Sequence, residues 1–195
     1  MSTIVVVRNK RYAAIAADFQ SSQGETIVPG SMRVGPGKIH RIGDACMGIV
    51  GSIAHQNAIH SLSTAQPELF RLNTRSEIFE TLRDIQPRLC TEYFLRTDES
   101  ADREQEYDSI QMSGLILSKG GIFSFFSHRE VTEYTSFWAI GSGAEFALGA
   151  LHARYEQQAC VKALAVSAVE TACIFDFGTG PPVECHDMHL AESQD

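Results

Sequence analysis

The hydrophobic pattern opens with two strand candidates, residues 4–8 and 12–17. They are carried by Ile4–Val7 and Ala13-Ala14-Ile15-Ala16-Ala17, split by the polar turn Asn9-Lys10-Arg11 and ended at Asp18. The pattern then lapses over 19–37, where Gly24, Pro29, Gly30, Gly35, Pro36 and Gly37 punctuate a loop. A second strand pair is predicted at Lys38–Ile42 and Ala45–Val50, around Gly43-Asp44. Beyond Ser52 the spacing turns helical. Ala54, Ala58, Leu62 and Ala65 recur on one face behind a Ser52 cap and stop near Pro67. Thr74 and Glu77 form a capping-box pattern ahead of Ile78, Leu82, Ile85 and Leu89, and Pro87 is expected to kink or break that helix.

Residues 98–108 hold six acidic residues and one Arg with neither period, and read as a solvated loop. Ile110–Leu117 and Ile122–Phe126 then form a hairpin pattern across Lys119-Gly120-Gly121, followed by a strand at Ser136–Ile140. Helical spacing resumes at Phe146, Ala150 and Leu151, and again at Val161, Leu164, Ala165, Ala168, Val169 and Ala172. A last strand is predicted at Val183–Met188. The order is strands, two helices, strands, two helices, strand. This predicts an α+β fold with helices layered on largely antiparallel sheets, not a doubly wound sheet. One domain is expected over 2–189, with 190–195 a tail that frays.

Composition narrows the function classes. At 195 residues with 44 % hydrophobic and 21 % charged positions, the chain is an ordinary soluble domain. A net charge of −8 and no basic tract argue against nucleic-acid binding. No stretch reaches the roughly 18 apolar residues of a membrane span, and Ile4–Val7 is too short for a secretory signal. Five cysteines without paired spacing suit a reducing compartment. A cytoplasmic protein is expected, without nucleic-acid or membrane partners.

Common catalytic and cofactor motifs are missing: no phosphate-binding Gly-Lys-Ser/Thr loop, no His-Glu-x-x-His, no Gly-x-Ser-x-Gly and no Cys-x-x-Cys. Cys185, His186 and His189 lack a fourth ligand, so neither metal nor cofactor is expected. What stands out is Met1-Ser2. A small second residue favours removal of Met1, which leaves a free amine and a hydroxyl on one residue. Strand alternation puts Ser2 and Thr3 on opposite faces, so only one of them can face a given partner.

Ser2-Thr3-Ile4-Val5, Ile15-Ala16-Ala17-Asp18, Gly24-Glu25-Thr26, Lys38-Ile39-His40-Arg41-Ile42 and Gly48-Ile49-Val50-Gly51-Ser52, in that order, resemble the proteasome β-subunit superfamily. The nearest likeness is to HslV peptidases, which Ala139-Ile140-Gly141-Ser142-Gly143 and Ala172-Cys173-Ile174-Phe175 also match. Two departures, Ser at the usual Thr position and a longer loop between Gly24 and Lys38, point to the branch called the betaproteobacterial proteasome homologue. The resemblance implies a four-layer αββα sandwich of the N-terminal-nucleophile hydrolase type.

By that resemblance the catalytic set is Ser2, Asp18, Lys38, Gly48 and Ser142. Ser2 is the nucleophile and its own α-amine, with a reference pKa of about 7.7–8.0, is the base. Only Ser2, not Thr3, has the family's spacing to Asp18. Asp18 pairs with Lys38, whose charge disfavours a second charge on the amine. The backbone N–H of Gly48 faces the oxyanion. The Ser142 hydroxyl supports the amine, while Ser142-Gly-Ala-Glu145 also reads as a capping box. Ser22 and Gly48 align the substrate as an added strand, and Cys46 lines the subsite for the residue before the scissile bond. Glu170, Cys173 and Asp176 fall where HslV binds cations, without a metal being assigned here.

The implied protein is a self-compartmentalising peptidase acting on peptides or unfolded polypeptides inside a homo-oligomeric double ring. Six or seven subunits per ring are implied, seven favoured, and a partner ATP-driven unfoldase stays open. The competing readings are a catalytically silent ring scaffold and a small-molecule amidase. Retention of Asp18, Lys38 and Gly48 counts against the first, and the lack of a large substrate-domain insertion against the second.

Overall fold

A computed structural model describes residues 2–95 and 112–191. The acidic stretch 98–108 lies outside them. The N-terminal hairpin joins β1 (Thr3–Arg8) and β2 (Tyr12–Asp18). Its turn is held by the Asn9 side chain, whose Oδ1 accepts the backbone N–H of Arg11 at 2.9 Å and of Tyr12 at 2.8 Å. The segment expected to be plain loop contains a small ribbon, β3 (Ser21–Gln23) and β4 (Thr26–Val28), turned at Gly24-Glu25. Next come β5 (Ile39–Ile42), β6 (Ala45–Val50), α1 (Ile53–Ala65) and α2 (Arg75–Thr91). The second half holds β7 (Ser113–Ser118), β8 (Gly121–Phe125), β9 (Val131–Tyr134), β10 (Phe137–Gly141), α3 (Ala144–Arg154), α4 (Val161–Phe175) and β11 (Val183–His189).

Two antiparallel sheets result, ordered β10-β1-β2-β11 and β5-β6-β7-β8-β9. Strand parity sorts their side chains into three apolar layers. Val5, Val7, Ala14 and Ala16 pack under α3 and α4. Ile4, Val6, Ile15 and Ala17 meet Ile39, Leu115, Leu117 and Ile122 of the facing sheet. Met47, Ile49, Ile116 and Phe123 pack under the Ile59, Leu62, Ile78 and Leu82 stripes of α1 and α2. Both sheets are thus covered on both faces, which makes β1 and β2 near-continuous apolar runs. The architecture is the expected αββα sandwich.

Local signals predicted the helix starts well. The Ser52 hydroxyl accepts from Ala54 N at 3.1 Å, and Thr74 Oγ1 accepts from Glu77 N at 3.2 Å. Three expectations are corrected. Pro87 does not break α2, which runs to Thr91: Ile85 and Leu89 on either side of it are buried, and that packing outweighs one lost backbone bond. Ser142 does not cap α3, because Gly143 holds the N-cap position and the Ser142 hydroxyl is used elsewhere. The tail does not fray at residue 190, since Leu190 is buried and its N–H donates to Arg11 O at 2.8 Å. β9 carried no signal strong enough to be predicted. Its four residues include the charged Glu133, and only Val131 is buried.

Candidate active site

The start of β1 is where the predicted residues meet. Asp18, at the end of β2, is completely buried and is an acceptor for four donors. Its Oδ1 takes Lys38 Nζ at 2.6 Å and Thr3 N at 2.9 Å; its Oδ2 takes Gly180 N at 3.1 Å and Gln20 N at 3.2 Å. A buried carboxylate with this many donors fixes each of them in place. Lys38, just before β5, is 2 % exposed. Burial pushes its ammonium below the usual lysine range, against the opposing pull of Asp18, and the nearby Arg33 charge pushes the same way as burial.

The backbone at Lys38 is clamped from across the sandwich. Glu184 Oε1, on β11, accepts Lys38 N at 2.5 Å and Ile39 N at 3.0 Å. Burial raises the Glu184 carboxyl above the ordinary glutamate range, although both N–H donors oppose the shift. Glu184 thus sets where β5 begins, and with it where the Lys38 side chain leaves the backbone.

Ser2, 3 % exposed, lines a cavity of about 350 Å³ together with Lys38, Gln20, Ser21, Ser22, Arg33, Gly51, Ser52, Ile53 and Gln56. Ser21 and Ser22 come from β3, whose only strand partner among the described residues is β4, leaving its other edge open. Gly51 adopts φ +126°, a conformation that disfavours any residue with a Cβ, and turns the chain from β6 into α1. The N-terminus of α1 therefore borders the cavity. A larger depression of about 570 Å³ lies between the β1–β2 turn and the end of α3, lined by Arg8, Tyr155 and Glu156, and no predicted catalytic residue borders it.

On the opposite face of β1, Thr3 is fully buried and its hydroxyl lies 2.6 Å from that of Thr179. Thr179 donates in turn to Asp176 Oδ2 at 2.5 Å, and Ser142 Oγ donates to the same oxygen at 2.6 Å. Ser142 has one hydroxyl hydrogen, so its 3.5 Å contact with the Ser2 carbonyl is the weaker claim on it. Partial burial works to raise the Asp176 carboxyl. The bonds from Ser142, Thr179 and the Gly178 N–H outweigh it and hold the group below the usual range.

Ser2, Asp18, Lys38, Ser22 and Ser142 are thus brought to one end of β1. Gly48 and Cys46 are not. Ile49 N donates to Lys38 O at 3.2 Å, so alternation turns the Gly48 N–H toward β7. A Cβ on Gly48 would lie 2.9 Å from Ile4 Cγ2, so this glycine is explained by close packing between the sheets. Cys46 is buried and borders a separate cavity of about 360 Å³ with Cys185 and Arg41. Sequence reasoning did not find Gly51, Arg33, Thr179 or Glu184 as site residues. The one available signal was Gly51 immediately before the Ser52 cap.

Among the described residues no group of three or more His, Cys, Asp or Glu is placed to hold a metal ion, and no helix is long and apolar enough to cross a membrane. Residues 1–180 match the family described as Proteasome subunit. A proteasome subunit beta of Methanocaldococcus sp. (strain FS406-22) is 28 % identical over 171 residues, covering 85 % of this chain and 71 % of that protein. The structure of Thiobacillus denitrificans BPH in complex with epoxomicin is 30 % identical, with a TM-score of 0.85 over 97 % of this chain and 99 % of that one. HslV from Trypanosoma brucei shares the fold at 19 % identity, with a TM-score of 0.70 over 96 % of this chain and 99 % of that one.

Proposed function

Because this chain belongs to the proteasome subunit family, we propose that it is a proteasome-type peptidase whose nucleophile is Ser2 after removal of Met1. The observation that carries this reading is Ser2 bordering a cavity with Lys38, whose ammonium sits 2.6 Å from the buried Asp18. Ser2 Oγ attacks the carbonyl carbon of a peptide bond while the Ser2 α-amine takes the hydroxyl proton. The carbonyl oxygen becomes an oxyanion at the N-terminus of α1. There the backbone N–H groups around Gly51, and not that of Gly48, stabilise it. Collapse breaks the C–N bond, the leaving amine takes the proton back, and an acyl ester remains on Ser2. Water then attacks the ester, gives its proton to the α-amine, and releases the acid with the hydroxyl restored.

Lys38 stays paired with Asp18 throughout, and its charge favours a neutral α-amine able to act as base. The open edge of β3 suits an extended peptide added as a further strand, with Ser22 alongside it. Phe146, Ile174, Phe175 and Phe177 are 41, 75, 63 and 62 % exposed at one end of the α3–α4 layer. Apolar residues left in the open this way support assembly with further copies, and the family resemblance alone favours the double ring with seven to a ring. The substrates in this reading are peptides or unfolded polypeptides.

The direct test is exposure of the processed chain to epoxomicin, followed by intact mass and peptide mapping. An adduct involving both the hydroxyl and the amine of Ser2 is expected, and chain retaining Met1 is expected to form none. Processed chain that stays unmodified and hydrolyses no peptide would leave the silent ring scaffold as the correct reading.

A further inference from the structure

Arg33 is placed against the normal preference of an exposed loop. Its neighbours Met32 and Val34 are 78 and 104 % exposed, while Arg33 is half-buried and borders the cavity that holds Ser2. Apolar side chains face solvent and the charged one turns in, the reverse of what solvation alone would select. The guanidinium is also fixed in position. Its Nη1 donates to Phe19 O at 2.9 Å, and the group lies 5.2 Å from the centre of the Phe19 ring. Among the described residues no carboxylate lies within ion-pair distance of it, and no Asp or Glu lines the cavity. The cavity's other cation, Lys38, is already taken by Asp18.

A planar, pre-positioned guanidinium with donors left over is suited to a carboxylate. Building on the proposed peptidase reading, we propose that Arg33 determines specificity by binding the acidic side chain of the residue immediately before the scissile bond. That residue belongs to the half of the substrate that stays bonded to Ser2 in the acyl ester. A side chain held in Ser2's own cavity is therefore retained through both steps only if it sits on that side of the bond. Arg33 arises from the longer loop between Gly24 and Lys38, so the preference would be a property of this chain's loop and not of the sandwich beneath it.

Two peptide epoxyketones differing only in the residue next to the warhead, Asp against Leu, test this on the processed full-length protein, with intact mass reporting the rate of adduct formation. The Asp compound is expected to react faster by about tenfold or more, the usual weight of a hydrogen bond to a charged group. Arg33→Met should collapse that ratio to near one or invert it, and Arg33→Lys should restore part of it. Adducts at Ser2 with equal rates, or with Leu faster, would overturn the specificity while leaving the peptidase intact. No adduct from either compound would remove the peptidase reading and this inference together. A melting temperature for each variant separates lost recognition from lost folding.

Discussion

Ser2 and Thr3 are adjacent hydroxyl residues at the start of one strand, and they sit in two different environments. Ser2 faces a cavity bordered by Lys38, Arg33 and the N-terminus of α1. Thr3 faces the helix layer, its hydroxyl committed to Thr179 and through it to Asp176. A Cβ on Gly143 would lie 2.3 Å from Thr3 Oγ1, so no room exists there for a substrate carbonyl. The hydroxyls have similar intrinsic reactivity, so strand parity and the space it leaves give them different parts. Asp18 joins the two sides, because one of its oxygens takes both the Thr3 N–H and the Lys38 ammonium.

The sharpest way to break this contrast is to remove each hydroxyl in turn. Ser2→Ala is expected to lower peptide hydrolysis by on the order of 10³-fold or more with the fold intact. Thr3→Ala should act mainly on stability, at about 1–3 kcal/mol, because it strips the Thr179 hydroxyl of its buried donor. Peptide kinetics and denaturant midpoints on both variants decide it. If Thr3→Ala abolished turnover as deeply as Ser2→Ala at unchanged stability, the assignment of roles by strand face would be wrong.

The joint between the two sides comes next in expected effect. Lys38→Met leaves Asp18 buried without its counter-charge, a change that costs about 3–5 kcal/mol when a buried pair is broken. Three backbone donors to Asp18 remain, from Thr3, Gln20 and Gly180, which should hold the loss near the lower end of that range. Turnover should fall together with stability, and the Asp18→Asn, Lys38→Met double variant should lose less stability than the two single changes summed. Additive losses would mean that Asp18 and Lys38 do not act as a pair.

Much of this was legible in the chain because it is written locally. Strand parity and the Ser52 and Thr74 caps follow from nearby residues, whereas the Asp18–Lys38 pairing was implied only by the family resemblance. The misplacements were of another kind. Gly48 and Gly51 are both glycines in one strand-to-helix passage. Only the backbone path shows that the first is packed under Ile4 while the second, at φ +126°, borders the cavity. Thr179 and Glu184 reach the site from the last part of the chain, Glu184 lying 146 positions from Lys38. Nothing in the sequence around either residue marks such a contact. Arg33 lay in a segment read only as loop, where neither period reports which way a side chain turns.

The smallest effect concerns Glu184, which sharpens the cavity side alone. A half-buried carboxyl with a folded-state pKa raised above the ordinary glutamate value of 4.5 holds its proton more tightly folded than unfolded. The stability linked to that proton is present below the ordinary glutamate range and is lost as pH rises through the folded value. Glu184→Gln keeps an oxygen able to accept from both Lys38 N and Ile39 N but carries no charge to desolvate. Its melting temperature relative to the parent should therefore be higher at pH 8 than at pH 5. His40 works in the opposite sense. Burial depresses its pKa to about 4, so its contribution is present above its usual value of 6.5 and is lost as pH falls toward 4. It is common to both proteins and cancels in the difference. Glu184→Ala instead strands two N–H donors, for a loss of about 1–2 kcal/mol with turnover falling as Lys38 loses its fixed position. If Glu184→Ala matched Glu184→Gln in both turnover and melting temperature, the clamp on Lys38 would have no part in holding the Ser2 side of β1.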